Sequence, residues 1–142
     1  MASILIIDDE GSVREILRRL LERVGHTVYE AADGKTALRM YAGNPTDLVI
    51  TDIFMPEMDG IEFLIRVREA FPEARIIALS GGGFMPLSGG GFIGKEEVLQ
   101  DAAQLGAVGI LEKPFSVEEC LDVVRKTLEI DGEGAANHAE GA

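Results

Sequence analysis

Short apolar runs alternate with segments of helical periodicity along this chain, and this alternation limits its fold more than any other feature. Five such pairs are present. The apolar runs predict strands at about 3–8, 26–31, 47–52, 74–79 and 108–112. The periodic segments predict helices at about 12–24, 34–42, 59–70, 95–105 and 116–129. Because strands that alternate with helices form parallel sheets, we expect an α/β fold with a doubly wound, five-stranded parallel sheet.

Several predicted helices begin with residues that cap helix N-termini. Ser12 with Glu15, and Ser116 with Glu119, have the spacing of a capping box, in which the first side chain accepts a hydrogen bond from the backbone of the second residue. Asp33 stands where a single carboxylate would cap the second helix. These signals predict helix starts at the same places as the periodicity.

The size and charge of the chain limit its organisation and its partners. With 142 residues, 46% of them hydrophobic, it is long enough for one core. We expect a single domain over residues 1–129 and a disordered tail over 130–142, where the apolar periodicity stops. The formal charge of -12 argues against nucleic acid as a partner, because binding to phosphates requires lysine and arginine.

No membrane partner is expected. No apolar run near the N-terminus is long enough to cross a bilayer, and no secretory leader precedes the first strand. The single cysteine, Cys120, falls within an apolar helical pattern and is expected to be a buried hydrophobic side chain. These observations favour a cytoplasmic location.

Polar side chains stand at the ends of four predicted strands. Asp8 and Asp9 follow the first strand, Asp52 closes the third, Ser80 follows the fourth and Lys113 follows the fifth. The carboxyl ends of parallel strands meet at one edge of the sheet, which is where such folds bind ligands. We therefore expect these five residues to share one pocket.

The three carboxylates in this pocket require either a bound cation or a shared proton, because like charges repel at short distance. Oxygen ligands without a nearby histidine or cysteine suit Mg²⁺ better than zinc. The ammonium of Lys113 and the hydroxyl of Ser80 could hold the oxygens of a phosphoryl group. The combination predicts phosphoryl transfer, which depends mostly on positioning and charge neutralisation.

The same residues resemble the receiver domain of two-component response regulators. The resemblance rests on Asp8-Asp9, the run from Thr51 to Pro56, Asp59-Gly60, Ser80 and Lys113-Pro114-Phe115. It spans residues 3–129 and implies a stand-alone, flavodoxin-like receiver with strand order 2-1-3-4-5. It also implies a cis bond between Lys113 and Pro114.

The resemblance implies a role for each acidic residue. Asp52 would be the phosphoacceptor. Mg²⁺ would be bound by Asp9 directly, by Asp8 largely through water, by Asp52, and by the backbone carbonyl of Phe54. The protein would then be a signalling phosphoacceptor rather than a conventional enzyme, although it would assist its own phosphorylation and dephosphorylation.

The resemblance also implies a set of protein partners. The phosphoryl group would come from a histidine kinase or a histidine phosphotransfer protein, and the signal would pass to a downstream protein target. We expect a monomer or a weak homodimer. The implied docking surface for the kinase comprises Ser12, Val13, Ile16, Arg19 and Leu20 on the first helix, with Pro114 and Phe115.

The phosphoryl-binding side of the pocket departs from the family pattern at one position. Ser80, Gly81 and Lys113 would bind the phosphoryl oxygens, as in relatives. Ile110, however, stands where receivers usually carry an aromatic side chain that swings inward. We expect Ile110 to fill the same interior pocket permanently and not to change rotamer.

A second departure is a tandem duplication after the fourth strand. Residues 79–86 and 87–94 form two copies of one eight-residue segment that differ only in their last two positions. Ser80 follows the apolar strand directly whereas Ser88 does not, so we assign the phosphoryl-sensing role to Ser80. The glycines predict a flexible surface loop, and a mobile lid over the pocket is the alternative.

Three other functions fit parts of the sequence. Residues 89–95 match the first seven positions of a nucleotide-binding Walker A loop, but Glu96 replaces the required Ser or Thr. A haloacid-dehalogenase-like phosphohydrolase would use Asp8 as its nucleophile, although Glu10 then replaces its second aspartate and Asp52 has no role. A flavin-binding module is disfavoured, because acids stand where the first loop would bind phosphate.

Overall fold

The computed structural model describes residues 1–53, 60–81, 84–86, 92–94 and 102–130. The strands are β1 (Ser3–Ile7), β2 (Thr27–Ala31), β3 (Leu48–Asp52), β4 (Ile76–Ser80), β5 (Phe84–Pro86), β6 (Phe92–Gly94) and β7 (Gly109–Glu112). The helices are α1 (Gly11–Arg23), α2 (Gly34–Gly43), α3 (Gly60–Ala70) and α4 (Val117–Leu128). Residues 102–104 are also helical.

Five strands form one parallel sheet in the order β2-β1-β3-β4-β7. Apart from the inserted β5 and β6, this is the predicted order 2-1-3-4-5, which is confirmed. The carbonyl of Phe54, the first part of the helix predicted at 95–105, and residues 131–142 of the predicted tail lie outside the described residues.

The core has two layers, because alternate residues of each strand face opposite sides of the sheet. Leu5 and Ile7 of β1 pack in a cluster with Phe63 of α3, whereas Ile4 and Ile6 pack in a second cluster with Leu17 of α1. Every residue of β3 and β4 is buried. The two helical layers therefore hold the central strands rigidly, and with them the residues at the strand ends.

The start of α1 differs from the prediction. Its N-cap residue is Glu10, which makes no side-chain capping bond, and Ser12 already lies inside the first turn. The capping box of Ser12 with Glu15 is therefore wrong. The predicted caps at Asp33 and Ser116 are confirmed, since Asp33 accepts a bond from the Thr36 amide and Ser116 forms a reciprocal capping box with Glu119.

The duplicated segment forms an antiparallel hairpin that the sequence did not predict. Strands β5 and β6 are the same three positions of the two repeat copies, and Phe84 pairs with Gly94 while Pro86 pairs with Phe92. The duplication therefore supplies both strands of the hairpin. Within the described part of the chain, no helix is long and apolar enough to span a bilayer.

Candidate functional site

The strand register brings two of the predicted acidic residues side by side. Ile7 at the end of β1 pairs with Thr51 of β3, so the residues that follow them, Asp8 and Asp52, lie at the ends of two neighbouring strands. Asp8 is completely buried and Asp52 is 4% exposed. Two carboxylates that are buried at the ends of neighbouring strands repel each other and need a positive charge between them.

Lys113 supplies that charge. Its Nζ atom lies 3.0 Å from Oδ2 of Asp8 and 3.3 Å from Oδ2 of Asp52, so one ammonium bridges the two buried carboxylates. Burial alone would lower the pKa of Lys113, but the hydrogen bond that its ammonium donates to Asp8 and the negative charge of Asp52 outweigh that effect, and the pKa is raised. The lysine is therefore held in its charged form.

The backbone around Lys113 fixes it at this place. The amide of Lys113 donates to the carbonyl of Ser80 at 2.7 Å, which continues the pairing of β7 with β4 by one residue. The bond between Lys113 and Pro114 is cis, as the family resemblance implied. Lys113 therefore projects from the end of β7 next to the buried carboxylates of Asp8 and Asp52.

The other acidic residues form an open cluster beside Asp8. One carboxylate oxygen from each of Asp8, Asp9 and Glu10 lies within 4.8 Å of the others, and Asp9 and Glu10 are exposed. The second oxygen of Asp8, Oδ1, accepts a hydrogen bond of 2.9 Å from the Glu10 amide. Glu10 was not predicted as a site residue, and its place directly after the two aspartates was the only signal for it.

Arg14 is a second residue that the sequence did not assign to the site. Helical periodicity places Arg14 with the other arginines on the solvent-facing side of α1. In the structure its guanidinium points toward the turn before the helix, and Nη1 donates to the carbonyl of Asp8 at 2.6 Å. This contact joins the helix to the loop that carries the acidic cluster.

Gly60 shows why a glycine follows Asp59 in the sequence. A Cβ atom placed on Gly60 would lie 2.0 Å from the carbonyl oxygen of Asp52 and 2.4 Å from the Cα of Ile53. The first residue of α3 therefore packs directly on the backbone at the end of β3. Only glycine allows this close approach.

Ser80 is buried at the end of β4, and its hydroxyl donates to the carbonyl of Gly81 at 2.9 Å. Among the residues that the structure describes, none comes within 4 Å of a Cβ atom placed on Gly81. Ser88, the alternative to Ser80, lies outside the described residues.

Ile110 does not fill an interior pocket. Its side chain is 37% exposed, while the neighbouring Leu111 is buried in the core. The two residues face opposite sides of β7, which is the edge strand of the sheet. The expectation that Ile110 fills that pocket is therefore wrong, whereas the expectation that it does not change rotamer stays a prediction.

The predicted docking residues divide into two groups. Ser12, Ile16, Arg19 and Pro114 are exposed, and Ile16 retains 55% of its accessible surface. In contrast, the core packs against Val13, Leu20 and Phe115, which are only partly accessible. Only the first group is free to contact a partner without disturbing the core.

Comparison with known proteins gives a consistent result. The family model for the response regulator receiver domain matches residues 4–125. Chemotaxis protein CheY of Bacillus subtilis is 36% identical over 126 residues, which are 88% of this chain and 96% of that protein. Sporulation initiation phosphotransferase F of the same organism is 32% identical, covering 88% of this chain and 92% of that protein.

Other matches are to parts of longer proteins or to solved structures. The transcriptional regulator NtrC of Azospirillum brasilense is 32% identical over 98% of this chain, which spans 27% of that protein. A receiver domain protein from Clostridium thermocellum matches with a TM-score of 0.79 and 27% identity over 91% of this chain and 95% of that chain. None of these comparisons supports the haloacid-dehalogenase alternative.

Proposed function

We propose that this chain, which belongs to the response regulator receiver family, accepts its phosphoryl group on Asp52. Receiver domains are signalling phosphoacceptors and take the group from histidine kinases. The observation that carries the assignment is the bridge formed by Lys113 between the buried carboxylates of Asp8 and Asp52. Asp52 ends the central strand β3. It is not a member of the acidic cluster formed by Asp8, Asp9 and Glu10.

The acidic cluster fits the Mg²⁺ on which phosphorylation of Asp52 would depend. Asp8, Asp9 and Glu10 offer hard oxygen donors of the kind that Mg²⁺ prefers, and two of the three side chains are open to solvent. Asp9, Asp8 and Asp52 would hold the ion, and Glu10 adds a further carboxylate. When bound, the ion supplies positive charge that offsets the negative charge of the carboxylates and the phosphoryl oxygens.

In the transfer step, a carboxylate oxygen of Asp52 forms a bond to phosphorus while the phosphorus–nitrogen bond of the donor phosphohistidine breaks. The electron pair of that bond returns to the imidazole ring. Lys113 already contacts Asp52 and would hold one phosphoryl oxygen by its charge. Ser80 would exchange the Gly81 carbonyl for a second phosphoryl oxygen.

The assignment of Asp52 is tested with a small acyl phosphate as donor, in the presence and absence of Mg²⁺. We expect wild type to gain one phosphoryl group with Mg²⁺, and Asp52→Asn to gain none, as measured by intact mass. Asp33→Asn is the matched control, because asparagine caps a helix as well as aspartate and this residue follows strand β2 of the same sheet. Phosphorylation of Asp52→Asn to the wild-type level would refute the proposal.

The same experiment separates this proposal from hydrolysis at Asp8. Both carboxylate oxygens of Asp8 are engaged, one by the Glu10 amide and the other by Lys113. We therefore expect peptide mapping to place the phosphoryl group on Asp52. A phosphoryl group on Asp8 would overturn the assignment.

We place the kinase contact on the exposed part of α1. Ile16→Asp is expected to slow phosphotransfer from a histidine phosphoprotein but not from an acyl phosphate. Ile65→Asp is the control, because Ile65 is an isoleucine of similar character, 38% exposed on α3. Val13 is unsuitable for this test, since an aspartate there would disturb the core. Equal phosphotransfer rates for both variants would exclude this surface.

The extent and location of the domain are part of the proposal. We assign the receiver domain to residues 1–129 and expect limited proteolysis to leave a stable fragment that ends near Ile130. We also infer a cytoplasmic location, where kinase domains would donate the phosphoryl group. Recovery of the protein in a periplasmic fraction would contradict this location.

A further inference from the structure

The turn between β1 and α1 carries Asp8, Asp9 and Glu10, yet it lacks the usual means of fixing a helix start. Glu10 is the N-cap residue of α1 and its side chain makes no capping bond. A turn without a capping side chain has fewer restraints on its backbone. Within the turn the Glu10 amide donates to Oδ1 of Asp8, and a contact from outside the turn is needed to fix it against the rest of the fold.

Arg14 makes that contact. Its Nη1 donates to the Asp8 carbonyl at 2.6 Å, and its Nε donates to Oε1 of Glu30 at 3.1 Å. The guanidinium also lies over the turn, because its Nη2 would be 3.4 Å from a Cβ placed on Gly11. One side chain therefore links the end of β1, the start of α1 and strand β2.

Arg18 gives a natural comparison on the same helix. It also pairs with Glu30, but its Nη2 donates to the carbonyl of Val28 at 3.0 Å and not to the acidic turn. Both arginines thus join α1 to β2, and both carry one positive charge. They differ in that only Arg14 contacts the backbone of Asp8.

We propose that Arg14 is a positioning residue that holds the β1–α1 turn so that the carboxylates of Asp8, Asp9 and Glu10 converge on one cation. The inference rests on the proposed function, because it concerns the Mg²⁺ site of that function. Arg14 would act through the backbone carbonyl of Asp8 and would not itself be a ligand of the cation. Its planar guanidinium bonds to two acceptors at once, which a lysine ammonium on a flexible stem does not reproduce.

Electrostatics and positioning predict opposite effects for Arg14→Gln. Loss of a positive charge beside three carboxylates would, by charge alone, strengthen Mg²⁺ binding. Loss of the turn geometry would weaken it by at least about tenfold, the scale seen when residues that orient metal ligands are changed. We expect the weaker binding for Arg14→Gln and also for Arg14→Lys, which keeps the charge.

The experiment measures two quantities in the full chain for wild type, Arg14→Gln, Arg14→Lys and the control Arg18→Gln. The first is the Mg²⁺ dissociation constant from a calorimetric titration. The second is the solvent-exchange rate of the Glu10 amide without metal, measured by NMR, since this amide donates to Oδ1 of Asp8. We expect exchange to become about tenfold faster in both Arg14 variants, as for loss of one charge-assisted hydrogen bond. Arg18→Gln should leave both quantities near wild type.

Several outcomes would overturn the inference. Unchanged or tighter Mg²⁺ binding by Arg14→Gln would show that the residue does not position the carboxylates. Equal changes in Arg14→Gln and Arg18→Gln would show that both arginines only attach α1 to β2. If wild type itself fails to bind Mg²⁺, the proposed function is refuted at its metal site, and the Glu10 exchange rates alone decide whether Arg14 holds the turn.

Discussion

The substitution Gly60→Ala tests how closely α3 packs on the end of strand β3. The added Cβ would lie 2.0 Å from the Asp52 carbonyl oxygen, 2.4 Å from the Ile53 Cα and 2.7 Å from the Asp52 carbonyl carbon. These separations are at least about 1 Å shorter than an ordinary contact between such atoms. All three neighbours are backbone atoms, so no flexible side chain can move aside.

The cost of this clash follows from what would have to move. Extra methylene groups in a packed core typically cost about 1–3 kcal/mol, and more where the surroundings cannot relax. Asp52 ends β3, whose five residues are all buried between β1 and β4. We therefore expect Gly60→Ala to lower the free energy of unfolding by at least about 3 kcal/mol, which corresponds to a fall of roughly 10 °C in melting temperature.

The assay is urea unfolding followed by far-ultraviolet circular dichroism, with Gly43→Ala as the matched control. Gly43 ends α2, and a Cβ placed on it would meet no atom of the described residues within 4 Å. The control should change stability by no more than about 1 kcal/mol and is expected to be slightly stabilising, since alanine has less conformational freedom to lose. Equal unfolding midpoints for the two variants would refute the packing argument.

Three further predictions concern ionisable groups. Lys113→Met removes the ammonium between Asp8 and Asp52 and should lower the free energy of unfolding by about 3 kcal/mol in Mg²⁺-free buffer. In thermal melts, Mg²⁺ should raise the melting temperature of this variant by more than it raises that of wild type. An equal rise in both proteins would count against the prediction. Burial raises the pKa of the Cys120 thiol to about 11, so a thiol reagent should label it only after unfolding; rapid native labelling would contradict this. Burial, and then the nearby N-terminal charge, lowers the pKa of His26. The contribution of the neutral imidazole to the free energy of unfolding is therefore fully present above about pH 6.5, and it is lost as the pH falls through the pKa of His26 in the folded state. The pH dependence of unfolding should flatten in that window for His26→Asn, and an unchanged slope would refute it.

The strand ends could be predicted from the sequence because a parallel sheet restricts where they can be. Once Ser3–Ile7 and Leu48–Asp52 are interpreted as parallel strands, their carboxyl ends must meet at one edge. The position of Lys113 follows in the same way from β7. Local patterns also sufficed for Ser116, whose cap depends only on residues within one helical turn.

Other features depend on tertiary contacts that periodicity does not contain. Ile16 lies on the apolar side of α1 by its spacing, but the sheet covers Leu17 and Leu21 and leaves Ile16 exposed. Arg14 belongs to the polar side of α1 by its spacing, but its guanidinium donates to the backbone carbonyl of Asp8, which lies outside the helix. The pairing of β5 with β6 was not predicted, because the sequence of the duplicated glycine-rich segment shows neither strand alternation nor helical period.

The charges around the site explain why phosphorylation should depend on a cation. In the described part of the chain, the ammonium of Lys113 pairs with Asp8 and Asp52, and the guanidinium of Arg14 is bound to the Asp8 carbonyl and to Glu30. Asp9 and Glu10 add two exposed carboxylates to the same cluster. A phosphoryl group on Asp52 would bring further negative charge to a place where the positive charge of Lys113 is already shared by two acids. A divalent ion at the acidic turn would offset that increase, and under our proposal Arg14 would assist the same step by keeping the turn in a shape that can hold the ion.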